Sequence, residues 1–143
     1  MGPLRILVFS ASFGAGHIKA AEALIQVFKK MEPAAEIDHE DFMDLTNKVL
    51  NKLIKTSYIR LIKRAPKLWG TFYQSTQDLS YDSKLQRFIN SIGRRQLMEY
   101  IHSLKPDIII CTYPTVAGLL AELRNTGQLD IPVVTVITDY TIH

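Results

Sequence analysis

The sequence holds one cysteine, Cys111, and one tryptophan among its 143 residues. A single thiol excludes an internal disulfide framework. No Cys/His cluster has zinc spacing either, so no metal site is expected. A reducing compartment is the easier home for such a chain. No stretch approaches the roughly 18 consecutive apolar residues of a membrane span. The N-terminal Met-Gly-Pro-Leu-Arg-Ile-Leu-Val-Phe-Ser lacks the charged start and the apolar stretch of about 7–15 residues of a signal peptide, so none is expected there.

At 47% hydrophobic and 22% charged, the chain has the balance of an ordinary globular protein, which excludes disordered and collagen-like classes. Its length suits one domain, at roughly 100–200 residues each. Such a domain buries about two-thirds of its unfolded surface, enough for a core. The net charge of +3 points to no partner by its total. Its distribution is more informative.

Leu4 to Ser10 is a short apolar run rich in β-formers, and it reads as a strand buried on both faces. From Gly14 to Met31, Ile18, Ala21, Leu24, Ile25 and Phe28 recur at helical spacing, and Pro33 ends the helix. Glu36 to Asp38 reads as a short second strand and Asp107 to Thr112 as a buried third. Val116 to Arg124 follows as a helix closing near Gly127, with Pro114 at a turn or first helical position. Pro132 to Thr138 reads as a fourth, buried strand. Alternating strands and helices imply a parallel sheet in an α/β fold. Between Asp38 and Asp107 there is no strand signal. Two helices, about Leu45 to Arg64 and Tyr81 to Leu104, fill that long insertion with an aromatic segment between them. The chain stops just past the fourth strand, where ligands bind in such sheets, so it is expected to be a fragment.

The first strand and helix are joined by Ser10-Ala11-Ser12-Phe13-Gly14-Ala15-Gly16-His17. Gly14 and Gly16 can take positive φ and admit a ligand to the backbone. The helix start offers unpaired N–H groups to an anion. A dinucleotide fingerprint needs a third glycine where Lys19 stands, and the Gly-Lys-Ser/Thr of a P-loop is absent, so a plain tight turn stays open beside the ligand site. His17, in the first helical turn, feels the positive end of the macrodipole, which favours a neutral ring able to act as a base. A partly exposed histidine with no chemistry is the alternative. Asp139 and His143 lie on another loop at the same sheet edge. There Asp139 either orients an imidazole or hydroxyl, or caps a following helix. Thr112, Tyr113 and Pro114 form a third loop, read as wall.

Lys48 to Lys67 carries Lys48, Lys52, Lys55, Arg60, Lys63, Arg64 and Lys67 without an acidic residue, and apolar residues interleave at helical spacing. Leu68, Trp69, Phe72 and Tyr73 follow. Cations beside interfacial aromatics suit an anionic membrane surface. Single-stranded nucleic acid and a merely solvated helix face are the other readings. Glu32 to Asp44, by contrast, holds acids and no Lys or Arg.

Phe13-Gly14-Ala15-Gly16-His17 with Ala20-Ala21-Glu22-Ala23-Leu24, and Thr138-Asp139-Tyr140 with His143 near the end, resemble the N-terminal domain of monogalactosyldiacylglycerol synthases. They are similar, too, to bacterial processive diacylglycerol glucosyltransferases, and the resemblance spans essentially the whole chain. It implies residues 1–143 are the N-terminal Rossmann-like half of a GT-B glycosyltransferase, with 45–104 as a helical basic and aromatic insertion. The C-terminal sugar-nucleotide domain would be absent from this chain, leaving the fragment inactive by itself. The implied reaction is inverting transfer of a hexose from UDP-glucose or UDP-galactose to diacylglycerol, with no metal and no cofactor.

By that resemblance His17 supports the base that removes the acceptor's proton, with Asp139 as rival or helper. Gly14, Ala15 and Gly16 lie against the diphosphate, and Tyr140 and His143 line the site. Lys52, Lys55, Lys63, Lys67, Trp69, Phe72 and Tyr73 dock the membrane and grip the acceptor. The expected place is the cytoplasm, peripheral on the inner face of the cell membrane, and nucleic acid is not the expected partner. The competing readings are a dinucleotide-binding oxidoreductase domain using Gly14, Gly16 and an acid such as Asp38 on the ribose, and a non-catalytic adaptor for anionic surfaces or nucleic acid.

Overall fold

The computed structural model describes residues 2–12, 15–45 and 93–138, with 52, 56–57, 59–60, 63–65, 67–68 and 70–71 between them. In chain order the elements are β1 (Arg5–Ser10), α1 (Ala15–Met31), β2 (Glu36–Asp41), α2 (Phe42–Leu45), α3 (Arg94–Leu104), β3 (Ile108–Cys111), α4 (Pro114–Asn125) and β4 (Val133–Thr135). Three parallel pairings build one sheet in the order β2-β1-β3-β4.

The apolar run of β1 is continuous because both its faces are covered. Side chains alternate along a strand. Ile6 and Val8 therefore meet Ala21 on α1, with Leu24, Ile25 and Phe28 packed beside them. Leu7 and Phe9 turn the other way, into a cluster with Leu97 and Ile101 of α3 and Leu119, Leu120 and Leu123 of α4. Full burial of one such side chain is worth about 1.5–3 kcal/mol. The chain thus has the expected Rossmann-like α/β fold, a parallel sheet with helices on both faces.

Local signals set the helix ends. Pro114 opens α4, where its fixed φ suits the first turn and its missing N–H costs nothing. Gly127, at φ 70°, closes that helix by donating its N–H to the Arg124 carbonyl at 3.0 Å.

β2 and β4 differ from the sequence pattern. β2 runs on to Asp41, because pairing with β1 through Ser10 overrides the poor strand propensity of Asp and Glu. β4 is shorter than Pro132 to Thr138 and is not buried: Val134 is 45% exposed and Ile137, just beyond it, 60%. It is the outer strand of the described sheet, with β3 as its one neighbour. Of the helix read from Tyr81 to Leu104, Arg94–Leu104 is described, with Gly93 at φ 81° before its first turn; the start read at Tyr81 lies outside the described residues. Within the insertion, Lys52, Thr56, Ser57, Ile59, Arg60, Lys63 and Arg64 are helical, as are Lys67, Leu68, Gly70 and Thr71, all of them exposed.

Candidate functional site

In this sheet the chain leaves β1 for β2 on one side and later returns to β3 on the other. The strand order reverses between β1 and β3, and the carboxyl ends of the strands at such a switch point are where open α/β sheets bind ligands. His17 projects from the first turn of α1, just past β1, while Thr112 directly follows β3. The two meet across the switch point.

His17 Nδ1 lies 2.7 Å from the Thr112 carbonyl oxygen. A carbonyl only accepts, so Nδ1 carries the hydrogen and donates it, and in the neutral ring Nε2 is the basic atom. Thr112 in turn donates its hydroxyl to the His17 carbonyl at 2.8 Å, and its N–H to Phe9 at 3.0 Å. The buried Thr112 therefore ties β1, the start of α1 and β3 together. Tyr113 sets its ring edgewise to the imidazole. Thr138, past β4, places Oγ1 2.6 Å from His17 Nδ1 and 3.2 Å from the Thr112 carbonyl. Three loops thus converge on one imidazole.

The β1–β2 side of this edge is polar. Asp41 ends β2, and its carboxylate accepts the Ser12 hydroxyl, the Ser12 N–H at 3.1 Å and the Met43 N–H at 3.0 Å. It fastens the start of the β1–α1 turn to the end of β2. Buried Ser10 shares a hydrogen bond of 2.8 Å with exposed His39. On the opposite sheet face Tyr100 donates its hydroxyl to Glu40 at 3.3 Å. Burial, together with the charge of Glu40 and that hydrogen bond, and more weakly the charge of Asp38, pushes this phenol up to about 12. Cys111 is buried in β3, and burial raises its thiol against a smaller lowering by the Thr135 hydroxyl.

Ala15 and Gly16 are exposed in the first turn of α1. Gly16 does not take the left-handed conformation the tight turn suggested: it is helical, and a Cβ there would meet nothing within 4 Å. Open space above the helix start, rather than backbone freedom, is what this glycine provides. Asp38, the acid named for the ribose in the oxidoreductase reading, does not stand at the sheet's ligand-binding edge. It pairs with Leu7 in mid-strand, away from the carboxyl end where a ribose-binding acid would stand. Gly14, Asp139, Tyr140 and His143 lie outside the described residues, as do Lys55, Trp69, Phe72 and Tyr73. Lys52, Lys63 and Lys67 are exposed, and Ile59 and Leu68 beside them are 50% and 67% exposed. Among the described residues no group of three His, Cys, Asp or Glu side chains could hold a metal ion, and no helix is long and apolar enough to cross a membrane.

Sequence reasoning treated Thr112 as wall and gave Thr138 no part of its own. The available signal was positional, since both follow strands whose carboxyl ends share one edge.

Residues 17–143 match the family described as monogalactosyldiacylglycerol (MGDG) synthase. The chain belongs to that family. It is 29% identical over 139 residues to the processive diacylglycerol beta-glucosyltransferase of Bacillus cytotoxicus, an overlap covering 97% of this chain and 35% of that protein. It is 28% identical, over the same shares, to the proteins of that name from Bacillus thuringiensis (strain Al Hakam) and Bacillus cereus (strain AH187). The chain of this MGDG synthase family member thus spans about a third of the length of the relatives it matches. No solved structure matches it.

Proposed function

We propose that this chain is the acceptor-binding portion of a membrane-associated inverting glycosyltransferase that moves a hexose from a UDP-sugar to diacylglycerol. The observation that carries this reading is His17, held at the switch point of the sheet by two other loops, in a chain similar to diacylglycerol glucosyltransferases. The donor's sugar-nucleotide part belongs to a second domain.

In the proposed reaction the diacylglycerol hydroxyl oxygen attacks the anomeric carbon from the face opposite UDP. The new C–O bond forms as the bond to the diphosphate breaks, and UDP leaves with the electron pair. The hydroxyl proton passes to Nε2 of His17, while Nδ1 keeps its hydrogen and goes on donating it to the Thr112 carbonyl. The exposed start of α1 at Ala15 and Gly16 directs helix N–H groups at the charge growing on the diphosphate. No step calls for a metal.

The membrane side rests on the exposed Lys52, Lys63, Lys67, Ile59 and Leu68, a surface at once cationic and apolar. The deciding experiment is flotation of the chain with vesicles of neutral lipid, anionic lipid, and each with diacylglycerol, at low and high salt. Binding to anionic vesicles, weakened by salt and strengthened by diacylglycerol, is the expected result. Indifference to both lipids would reject the acceptor role and leave a solvated helix face. In a protein that carries both domains, His17→Ala is expected to reduce transfer by on the order of 10²–10⁴-fold while sparing donor binding.

A further inference from the structure

Beyond β4 the chain keeps its course beside β3: Val136 donates its N–H to the Cys111 carbonyl at 2.8 Å, continuing the ladder past Cys111↔Thr135. That extra bond brings Thr138 alongside Thr112. Its half-buried hydroxyl then stands 2.6 Å from His17 Nδ1 and 3.2 Å from the Thr112 carbonyl oxygen, which is itself 2.7 Å from Nδ1. Three polar atoms form a triangle with two hydrogens to share.

One arrangement satisfies all three contacts. The carbonyl accepts from both partners. The Nδ1 hydrogen bridges to the carbonyl and to Oγ1, and the Thr138 hydroxyl hydrogen goes to the carbonyl. The reverse, with Nδ1 accepting from Thr138, would set two lone pairs against each other at 2.7 Å. The hydroxyl thus adds a second acceptor for Nδ1–H, at a fixed angle to the first, and orients the ring whose tautomer the carbonyl sets.

We infer that Thr138 is a positioning residue: its hydroxyl, wedged between His17 Nδ1 and the Thr112 carbonyl, fixes the plane of an imidazole whose Nδ1–H tautomer the carbonyl sets, and so aims Nε2 at the acceptor hydroxyl. This rests on the reading of His17 as the base for the acceptor hydroxyl. It also makes that base answerable to the segment following β4, which no contact within the β1–α1 turn would do.

The test uses the ¹⁵N-labelled chain and long-range ¹H–¹⁵N correlation of the imidazoles at about pH 8, where histidine rings are neutral. Loss of one set of signals in His17→Ala assigns the ring. The expected pattern is Nδ1 protonated and Nε2 bare in the native chain and in the Thr138 variants, with the Nδ1–H signal sharp in the native chain and Thr138→Ser and broadened by ring motion in Thr138→Val. A hydrogen on Nε2 in the native chain, or an unchanged Nδ1–H signal in Thr138→Val, would overturn the inference. Should the valine variant not fold, Thr138→Ala removes the same hydroxyl without added bulk and must give the same broadening.

In a protein with both domains, Thr138→Val is expected to lower kcat about tenfold at constant acceptor KM, with Thr138→Ser restoring it. If the Nδ1–H signal broadens as expected while His17→Ala leaves transfer intact, the base reading falls and the positioning role stands. An unchanged signal removes the positioning role whatever the turnover.

Discussion

Tyr113 meets His17 edge to face, with ring centroids 5.1 Å apart and planes inclined at 76°. The contact comes from the residue that precedes the Pro114 start of α4, so a rigid helix end backs the aromatic ring. Aromatic pairs in this geometry are worth about 0.5–1.5 kcal/mol beyond the area they bury. Tyr113→Leu should therefore loosen the imidazole and abolish the ring-current displacement of its carbon-bound protons, whereas Tyr113→Phe should preserve it. Proton NMR of the His17 ring in the three proteins checks this.

Asp41 carries a different load. Its carboxylate accepts two donors from Ser12 and one from Met43, so its loss leaves N–H groups at the β1–α1 turn without their acceptor. Hydrogen bonds to a charged group are worth about 1.5–3 kcal/mol. Asp41→Ala is expected to lower stability by about that amount in urea unfolding, with Ser12→Ala costing less because the Ser12 N–H remains bonded.

Tyr100 gives the fold an alkaline signature. Its phenol is raised from the ordinary 10.0 to about 12, because the half-buried ring and the carboxylate of Glu40 both disfavour phenolate. The neutral form is thus favoured in the folded chain. That stabilisation is complete below about pH 10 and is lost as the pH climbs towards 12. The stability margin of the native chain over Tyr100→Phe should shrink through this window, as denaturant midpoints measured at successive pH values would reveal.

The single thiol reports on the core. Cys111 is fully buried in β3, its thiol raised by burial and hydrogen-bonded to the Val134 carbonyl. Reactivity follows thiolate character and exposure. A disulfide reagent should leave the native chain untouched and label it stoichiometrically only across the unfolding transition; rapid labelling of the native chain would contradict the buried position.

Charge reversal separates the surface reading from a passive one. Each Lys close to an anionic leaflet contributes about 1 kcal/mol. Replacing Lys52, Lys63 and Lys67 by Glu should weaken partition onto anionic vesicles at least about 10²-fold by that measure, leaving the circular dichroism spectrum unchanged. Undiminished partition would remove these lysines from the contact.

How much of this could be read beforehand differs from element to element. β1 and α1 were legible because burial on both faces of a strand, and on one stripe of a helix, writes itself into apolar spacing. Ile6, Val8, Ala21 and Phe28 form the expected layer. The far half of β2 was not, because Glu40 and Asp41 have poor strand propensity and are held by backbone bonds to β1. His17 was singled out by its place beside two glycines, and the structure sets it at the switch point. Its partners were hidden for a simple reason: Thr112 and Thr138 stand 95 and 121 positions away in the chain, and a hydroxyl advertises nothing about what it will touch. Gly16 shows the opposite failure, a residue type suggesting a backbone freedom that the helix does not use.

The two margins of the described sheet are unequally defended. Along β2 stand Glu36, Asp38, Glu40 and Asp41, whose charges discourage another chain from adding a strand. Along β4 stand Val133, Val134 and Thr135, uncharged and followed by the exposed Ile137. Among the described residues, the β4 border is therefore the aggregation-prone one. It lies on the side where the segment carrying Thr138 leaves the sheet, so self-association there would disturb the contacts of the imidazole before it disturbed the core.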